Sequence, residues 1–180
     1  MNTLTILDPR ADVPADARGK GPAVGRLRGK RVGLRRDEFW GCWNVVTEEW
    51  AKLLEADGAR PRIWRAPVVK GEEASVEASA DFEAYLDSID VAITGLANCG
   101  SCTLWSVHDG LEALDRGLPT GFVATEHFSR LVRVLTSQAG RQEIRLEILP
   151  YPLEGRPEPE VRDIARAAYP ALLRELGATI

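Results

Sequence analysis

Apolar residues follow two spacings in turn along the chain, and this alternation predicts five strand–helix units. Short apolar runs, typical of strands buried in a sheet, occupy residues 31–34, 61–69, 90–96, 119–125 and 144–149. After each run, apolar residues recur three or four positions apart, as on one face of a helix. The helical sets are Val46, Trp50, Leu53 and Leu54; Phe82, Tyr85, Leu86 and Ile89; Leu104, Val107, His108, Leu111 and Leu114; Phe128, Leu131, Val132 and Leu135; and Val161, Ile164, Ala165, Ala168, Leu172 and Leu173.

Five strands that alternate with five helices predict an α/β fold, with a single doubly wound domain of three layers. A mostly parallel five-stranded sheet in the flavodoxin-like order 2-1-3-4-5 suits this number of units. We expect the domain over residues 23–180, after an extended lead-in at residues 1–22 that is rich in proline, glycine, alanine and charge. The acidic and small residues 69–79 are the expected mobile loop.

Composition and charge narrow the class of protein. The chain has 180 residues, of which 44% are hydrophobic and 28% charged, as in an ordinary globular domain. Its net charge of −4 argues against nucleic acid or an anionic membrane as the main partner, because both require a basic surface. No secretion signal and no long apolar segment is evident, and three cysteines without such a signal favour a reducing, cytoplasmic location.

The main chemical signal is the segment GLANCGSCTLWSVHDG at residues 95–110, in which Cys99 and Cys102 stand between the third predicted strand and the third predicted helix. In a sheet of the expected order, ligands bind beyond the carboxyl ends of the strands, near the switch point between the first and third. A helix N-terminus offers unpaired N–H groups and partial positive charge, which stabilise a thiolate. Ser101 or Thr103 is the candidate cap, and Gly100 allows a tight turn. The alternative is that both cysteines are inert packing residues.

Other candidate site residues follow neighbouring strands on the same edge. His127 is a candidate general acid or base, or an ion-pair partner of a thiolate. His108, which shares a predicted apolar face with leucines, is interpreted as a core histidine. Cys42 is a candidate resolving thiol, third metal ligand or packing residue. The substrate-binding candidates are Trp40, Cys42, Trp43, Gly100, Ser101, Thr103, Trp105, Asp109, Glu126 and Tyr151, where the tryptophans either wall a pocket or cover a core edge.

Several segments resemble a known family. DVAITGL at 90–96, CGSCT at 99–103, SVHD at 106–109, GLPT at 117–120 and TEHF at 125–128 resemble the (seleno)protein family named for its U-G-S-C motif. ILDP at 6–9 and LRGKRVGL at 27–34 are similar to the N-terminal pattern of that family. The chain is more distantly similar to the selenocysteine-bearing B component of glycine, sarcosine and betaine reductases.

The resemblance implies that Cys99, at the position of selenocysteine or cysteine, is a nucleophile and that Cys102 is its resolving thiol. The loop at residues 37–44 departs from the family pattern, which implies a different substrate.

Three functional hypotheses follow. The leading one is a thiol enzyme, with oxidoreductase chemistry, in which the Cys99 thiolate attacks an electrophilic carbon, a sulfur or a disulfide, and Cys102 resolves the intermediate. In it, His127 protonates the leaving group of a small-molecule or thiol substrate. The second is a zinc or iron site formed by Cys42, Cys99, Cys102 and His127. The third is a non-catalytic subunit that docks on a larger reductase. No other cofactor is expected, and a protein redox partner and a homo-oligomer are both left open.

Overall fold

The structure, a computed structural model, describes residues 19–67 and 72–180, with the side chains of residues 72–77 excepted. Most of the predicted lead-in, at residues 1–18, and residues 69–71 of the predicted loop lie outside the described residues. The strands are β1 (Gly25–Arg26), β2 (Arg31–Arg36), β3 (Arg60–Arg65), β4 (Val91–Ala97), β5 (Thr120–Thr125), β6 (Arg145–Leu149) and β7 (Ala178–Thr179). The helices are α1 (Gly41–Ala56), α2 (Glu72–Asp87), α3 (Gly100–Asp115), α4 (Glu126–Gln138) and α5 (Glu158–Leu176).

Five strands form one parallel sheet with neighbours in the order β3-β2-β4-β5-β6. The register is fixed by apolar pairs such as Val32 with Val91 and Leu34 with Ile93. β4 and β5 are buried along their whole length, which explains why these segments are continuous apolar runs in the sequence. The predicted α/β fold with a mostly parallel five-stranded sheet is therefore confirmed.

Helices cover both faces of this sheet. α1 and α5 pack on one face, in a core cluster that includes Val32, Leu34 and Ile93. The indole N–H of Trp50 in α1 donates to the carbonyl of Ala165 in α5 at 2.8 Å, so a hydrogen bond joins the two helices inside this core. On the opposite face, α3 and α4 pack over β5 and β6, and α2 packs beside α3. The inner strands β2, β4 and β5 lose nearly all contact with solvent between these two helical layers, whereas the edge strand β3 stays largely exposed.

Two features of the fold were not predicted. β1 and β7, of two residues each, pair with one another and bring the segment before β2 against the end of the chain. The helix expected to begin near residue 80 begins at Glu72, so the prediction of a loop over 69–79 is wrong from that residue onward. The segment from Glu72 to Ala80 contains alanine and glutamate, which are good helix formers.

In the described ranges 19–67 and 72–180, no helix has both the length and the apolar character needed to span a bilayer.

Candidate functional site

The cysteine pair lies where β4 passes into α3, beyond the carboxyl end of the parallel sheet. Cys99 is the N-cap of α3, and its Sγ accepts a hydrogen bond from the backbone N–H of Cys102 at 3.1 Å. The prediction that Ser101 or Thr103 caps the helix is wrong, because the helix already begins at Gly100 and both residues stand inside its first turn. The Thr103 hydroxyl instead donates to the Cys99 carbonyl. A sulfur thus takes the place in which helices usually carry an oxygen acceptor.

The two sulfurs are joined in a disulfide, with the Cα atoms of Cys99 and Cys102 5.3 Å apart. Cys102 is the more deeply placed residue, with 7% of its surface exposed, whereas Cys99 is half-buried. The indole N–H of Trp40 donates to the Cys102 Sγ at 3.2 Å. Each sulfur therefore accepts one N–H hydrogen bond. Of the two residues, Cys99 is the more accessible.

A buried guanidinium organises the polar groups next to the pair. Arg35, at the end of β2, is 4% exposed, and its Nε donates to Asp109 at 2.7 Å. Its Nη1 donates to Asp37 at 3.0 Å and to the carbonyl of Gly95 at 3.1 Å. Burial raises the pKa of the Asp37 carboxyl, and the charge of Arg35 opposes that rise. Arg35 thereby ties together β2, the loop after it, β4 and α3.

A cavity of about 820 Å³ opens beside this guanidinium, between α2, α3 and the loop that follows β2. Its polar lining includes Arg35, Asp37, Ser101, Cys102, His108 and Asp109. Its aromatic lining consists of Phe39, Trp64, Phe82 and Trp105. The volume lies in the range of sites that hold a small molecule.

The cavity brings together some of the predicted site residues. Ser101, Cys102, Trp105 and Asp109 line it. Trp40 is not part of the lining, but its indole N–H donates to Cys102, which is. Cys99, the other residue of the pair, is not part of the lining. Gly100 is exposed in the first turn of α3.

Trp43 and Cys42 are core residues instead. Trp43 has no exposed surface, and its indole donates to the Arg35 carbonyl at 3.1 Å, so the prediction that it walls a substrate pocket is wrong. Its ring occupies space left by Gly95, where a Cβ would lie 2.9 Å from the Trp43 Cζ2. Cys42 is buried in the core cluster between α1 and α5, and burial together with Glu154 raises the pKa of its thiol well above the usual range.

Neither histidine lies where it was predicted. His108, interpreted as a core residue, has a side chain that is 69% exposed and faces the cavity, with its Nδ1 3.8 Å from an oxygen of Asp109. The interpretation is wrong because the buried face of α3 runs through Val107, Gly110 and Leu114. His127 is exposed at the start of α4 and stacks on Tyr151 at 4.7 Å between ring centroids, outside the cavity lining. Glu126 is exposed beside it.

The predicted four-ligand metal set is not assembled in the described part of the chain. Among those residues, no group of three or more histidine, cysteine, aspartate or glutamate side chains is arranged to hold a metal ion. Cys42 lies on the buried face of α1, and His127 lies in α4, in the helical layer on the opposite face of the sheet.

Sequence reasoning missed several residues that define the cavity: Arg35, Asp37, Phe39, Trp64, Phe82 and His108. Arg35 and Asp37 could have been identified from the sequence. They are charged residues at the end of a strand predicted to be buried on both faces, where charges require ionic partners. The aromatic residues carried none, since their packing depends on how α2 lies against β3 and α3.

The fold and site define an α/β protein with a Cys-Gly-Ser-Cys pair that caps a helix at the edge of a parallel sheet. Comparison with known families identifies the family to which the chain belongs. The chain matches the UGSC family over residues 5–178 and belongs to that family, as the resemblance indicated.

No curated protein matches the chain. Among solved structures, the chain is similar to the crystal structure of RecJ in complex with Mn²⁺ from Thermus thermophilus, with 16% identity and a TM-score of 0.44. The similarity covers 84% of this chain, which spans only 19% of that one.

Proposed function

We propose that the protein is a thiol-dependent enzyme in which Cys99 is the nucleophile and Cys102 the resolving thiol, acting on a small-molecule disulfide. The observation that carries the proposal is the placement of the pair: Cys99 caps α3 through its sulfur and lies within bonding distance of Cys102. A thiolate at such a position gains from the helix N–H groups and from the partial positive charge of the helix terminus.

The position of the pair in the sheet supports the same proposal. If only the five strands of the large sheet are counted in chain order, their spatial order is 2-1-3-4-5, in keeping with the flavodoxin-like arrangement expected from the sequence. In that arrangement the switch point lies between β2 and β4. Residues that follow these strands, among them Asp37 and Cys102, line the cavity.

The chemical steps are those of thiol–disulfide exchange. The Cys99 thiolate attacks one sulfur of the substrate disulfide, forms a mixed disulfide and expels the other half as a thiolate. The Cys102 thiolate then attacks the Cys99 sulfur and expels the second half of the substrate. The substrate disulfide is reduced by two electrons, and the Cys99–Cys102 pair is oxidised to the disulfide that the structure shows. Two equivalents of an external thiol, the co-reactant, return the pair to the dithiol form by two further exchanges and are themselves oxidised to their disulfide.

A carbon electrophile is the alternative substrate, since the same thiolate would form a thioether on it and expel a leaving group with its electron pair. The disulfide is preferred here because Cys102 is already within bonding distance of Cys99.

The test uses the reduced protein and an aromatic disulfide, 5,5′-dithiobis(2-nitrobenzoate), whose released thiolate is coloured. We expect wild type to release both halves of the reagent rapidly and to end with the internal disulfide. Cys102→Ser should release one half and retain the other as a mixed disulfide on Cys99, visible by intact mass. Cys99→Ser should react far more slowly. Equal, slow reaction of all three proteins would overturn the proposal.

Alkylation provides an independent measurement. We expect iodoacetamide at neutral pH to modify Cys99 of the reduced protein well before Cys102, as read from peptide masses over time. Cys42 is the internal control, because its buried thiol has a raised pKa and should stay unmodified while the protein is folded. Cys99 and Cys102 reacting as slowly as Cys42 would argue for inert packing residues.

A further inference from the structure

The cavity beside the cysteine pair has aromatic walls on more than one side. Phe39, on the loop after β2, and Trp105, on α3, are 64% and 60% exposed, although both are large apolar side chains. Trp64 on β3 and Phe82 on α2 are in ring contact, with centroids 4.8 Å apart. Exposed aromatic side chains that converge on one concavity are typical of a ligand site rather than of an ordinary surface.

Carboxylates outnumber cationic groups in the described lining of the same cavity. The acidic residues are Asp37, Glu83, Asp109 and Glu112, and the guanidinium is that of Arg35. Arg35 is held by Asp37 and Asp109 together, so its single charge is opposed by two carboxylates. Glu112 is 3.5 Å from Arg116, which lies closer, at 2.9 Å, to Asp87. The described groups therefore leave the cavity with a negative field.

This combination favours one class of ligand. A cation gains from the carboxylates and, over the face of an aromatic ring, from the ring quadrupole. An anion would meet the carboxylates while the nearby guanidinium is already engaged. A neutral apolar molecule would gain from the walls only. The apolar lining also requires that the cation carry an apolar body, because a small hydrated ion would leave the aromatic surfaces unfilled.

We propose that the cavity formed by Phe39, Trp64, Phe82 and Trp105 with Glu83 and Glu112 binds an organic cation with an apolar body, and that the substrate disulfide presented to the cysteine pair carries such a cationic group. The assignment of the cation to the substrate rests on the proposed function, whereas its binding does not. The carboxylates would hold the charged nitrogen, and the aromatic walls would hold the remainder of the molecule. Cys102, in the same lining, places the disulfide next to the bound molecule.

Binding is measured by titration calorimetry on Cys99→Ser/Cys102→Ser, which cannot perform the exchange reaction. Three probes share one skeleton and differ in charge: 3-phenylpropylammonium, 3-phenylpropan-1-ol and 3-phenylpropionate. We expect the cation to bind at least about tenfold more tightly than the alcohol, and the anion to bind most weakly. Higher salt should weaken the binding of the cation and leave that of the alcohol unchanged.

Matched variants test which carboxylates bind the cation. Glu83→Gln/Glu112→Gln removes two carboxylates that lie outside the Arg35 network, so the fold is retained, and it should reduce cation binding severalfold without affecting the alcohol. Glu55→Gln, on α1 at the opposite face of the sheet, should leave both unchanged. Equal affinity for cation and alcohol, tighter binding of the anion, or no binding of any probe would overturn the inference. Because the exchange assay is run on wild type without these probes, either proposal can fail while the other stands.

Discussion

The sulfur of Cys99 has a structural role in the fold, to which the proposed function adds a chemical one. As the N-cap acceptor of α3, it satisfies a backbone N–H that would otherwise lack a helical partner. An oxygen side chain is the usual acceptor, and a sulfur accepts more strongly as a thiolate than as a thiol. In the proposed enzyme, the hydrogen bond that starts α3 would therefore also support the nucleophile.

The other sulfur of the pair, that of Cys102, accepts a hydrogen bond from Trp40. Its indole N–H donates to the Cys102 Sγ, the leaving atom when a thiol attacks the disulfide at Cys99. Trp40→Phe removes this donor and should slow reduction of the internal disulfide by dithiothreitol by roughly three- to tenfold, the equivalent of one modest hydrogen bond. The measurement is the rate of dithiol formation followed by quenched alkylation and mass.

Trp105→Phe is the control for Trp40→Phe, since it removes an indole of α3 that lines the cavity but leaves the hydrogen bond from Trp40 to Cys102 intact. If both variants were reduced at the wild-type rate, the indole would have no part in stabilising the leaving thiolate.

The histidine that shares the cavity with Cys102 is His108, and we assign to it the proton given to the leaving thiolate, with His127 as the alternative donor. His108→Ala should slow reduction of bis(2-hydroxyethyl) disulfide, whose thiolate is strongly basic, by about tenfold. It should leave the reaction with 5,5′-dithiobis(2-nitrobenzoate) unchanged, because that leaving thiolate needs no proton. His127→Ala is the matched control. If His127→Ala slowed this reduction and His108→Ala did not, the proton donor would be His127.

At the residue scale, sequence alone identified the cysteine pair but not its surroundings. The spacing of Cys99 and Cys102 and their place after an apolar run are local features. The burial of Trp43 in α1 depends on the missing side chain of Gly95 on β4, and the exposure of His108 depends on the rotation of α3. Leu104, one turn before His108 on α3, is itself 52% exposed. The apolar spacing in the sequence therefore predicted the wrong buried face for this part of the helix.

At the scale of elements, strands buried on both faces were predicted well, because a continuous apolar run is a strong local signal. β1 and β7 were missed because each has two residues and forms only through backbone pairing between distant segments, Gly25 with Ala178 and Arg26 with Thr179. The start of α2 was missed because acidic and small residues indicate a loop as readily as a helix.

Close contact between α3 and β5 is the element-level feature that holds the cysteine pair in place. Gly110 of α3 lies against β5, and a Cβ there would lie 2.8 Å from both the Phe122 Cζ and the Thr94 Oγ1. Gly110→Ala should therefore lower the free energy of unfolding by roughly 1–3 kcal/mol through overpacking, despite the better helix propensity of alanine. Urea denaturation measures the change.

The matched control for this substitution is Gly100→Ala in the same helix, where an added Cβ meets nothing within 4 Å. It should leave the free energy of unfolding unchanged or raise it slightly. A Gly110→Ala protein as stable as Gly100→Ala would show that α3 can shift away from β5.

At the scale of the whole molecule, two buried carboxylates near α5 differ in how fully neighbouring charges compensate them. Glu49 of α1 is held by Arg162 and Arg166 of α5, so ion pairs at the edge of one layer compensate a carboxylate that is 6% exposed. Glu147 of β6 is similarly buried, at 8% exposed, but its neighbours include Glu175 as well as Arg174. Burial and the charge of Glu175 raise its pKa from the usual 4.5 to about 7, against the opposing effect of Arg174.

This raised pKa makes the stability of the fold depend on pH in a definite direction. Below about pH 4.5 the Glu147 carboxyl is neutral in both the folded and the unfolded chain, and its favourable contribution is fully present. As the pH rises to about 7, the unfolded chain loses this proton before the folded one, so the contribution is lost, up to about 3 kcal/mol. Glu147→Gln should therefore gain stability relative to wild type as the pH rises from about 4.5 to about 8, measured by urea denaturation, whereas Glu55→Gln should show no such trend. A difference between Glu147→Gln and wild type that stays constant with pH would mean that Glu147 ionises normally in the folded protein.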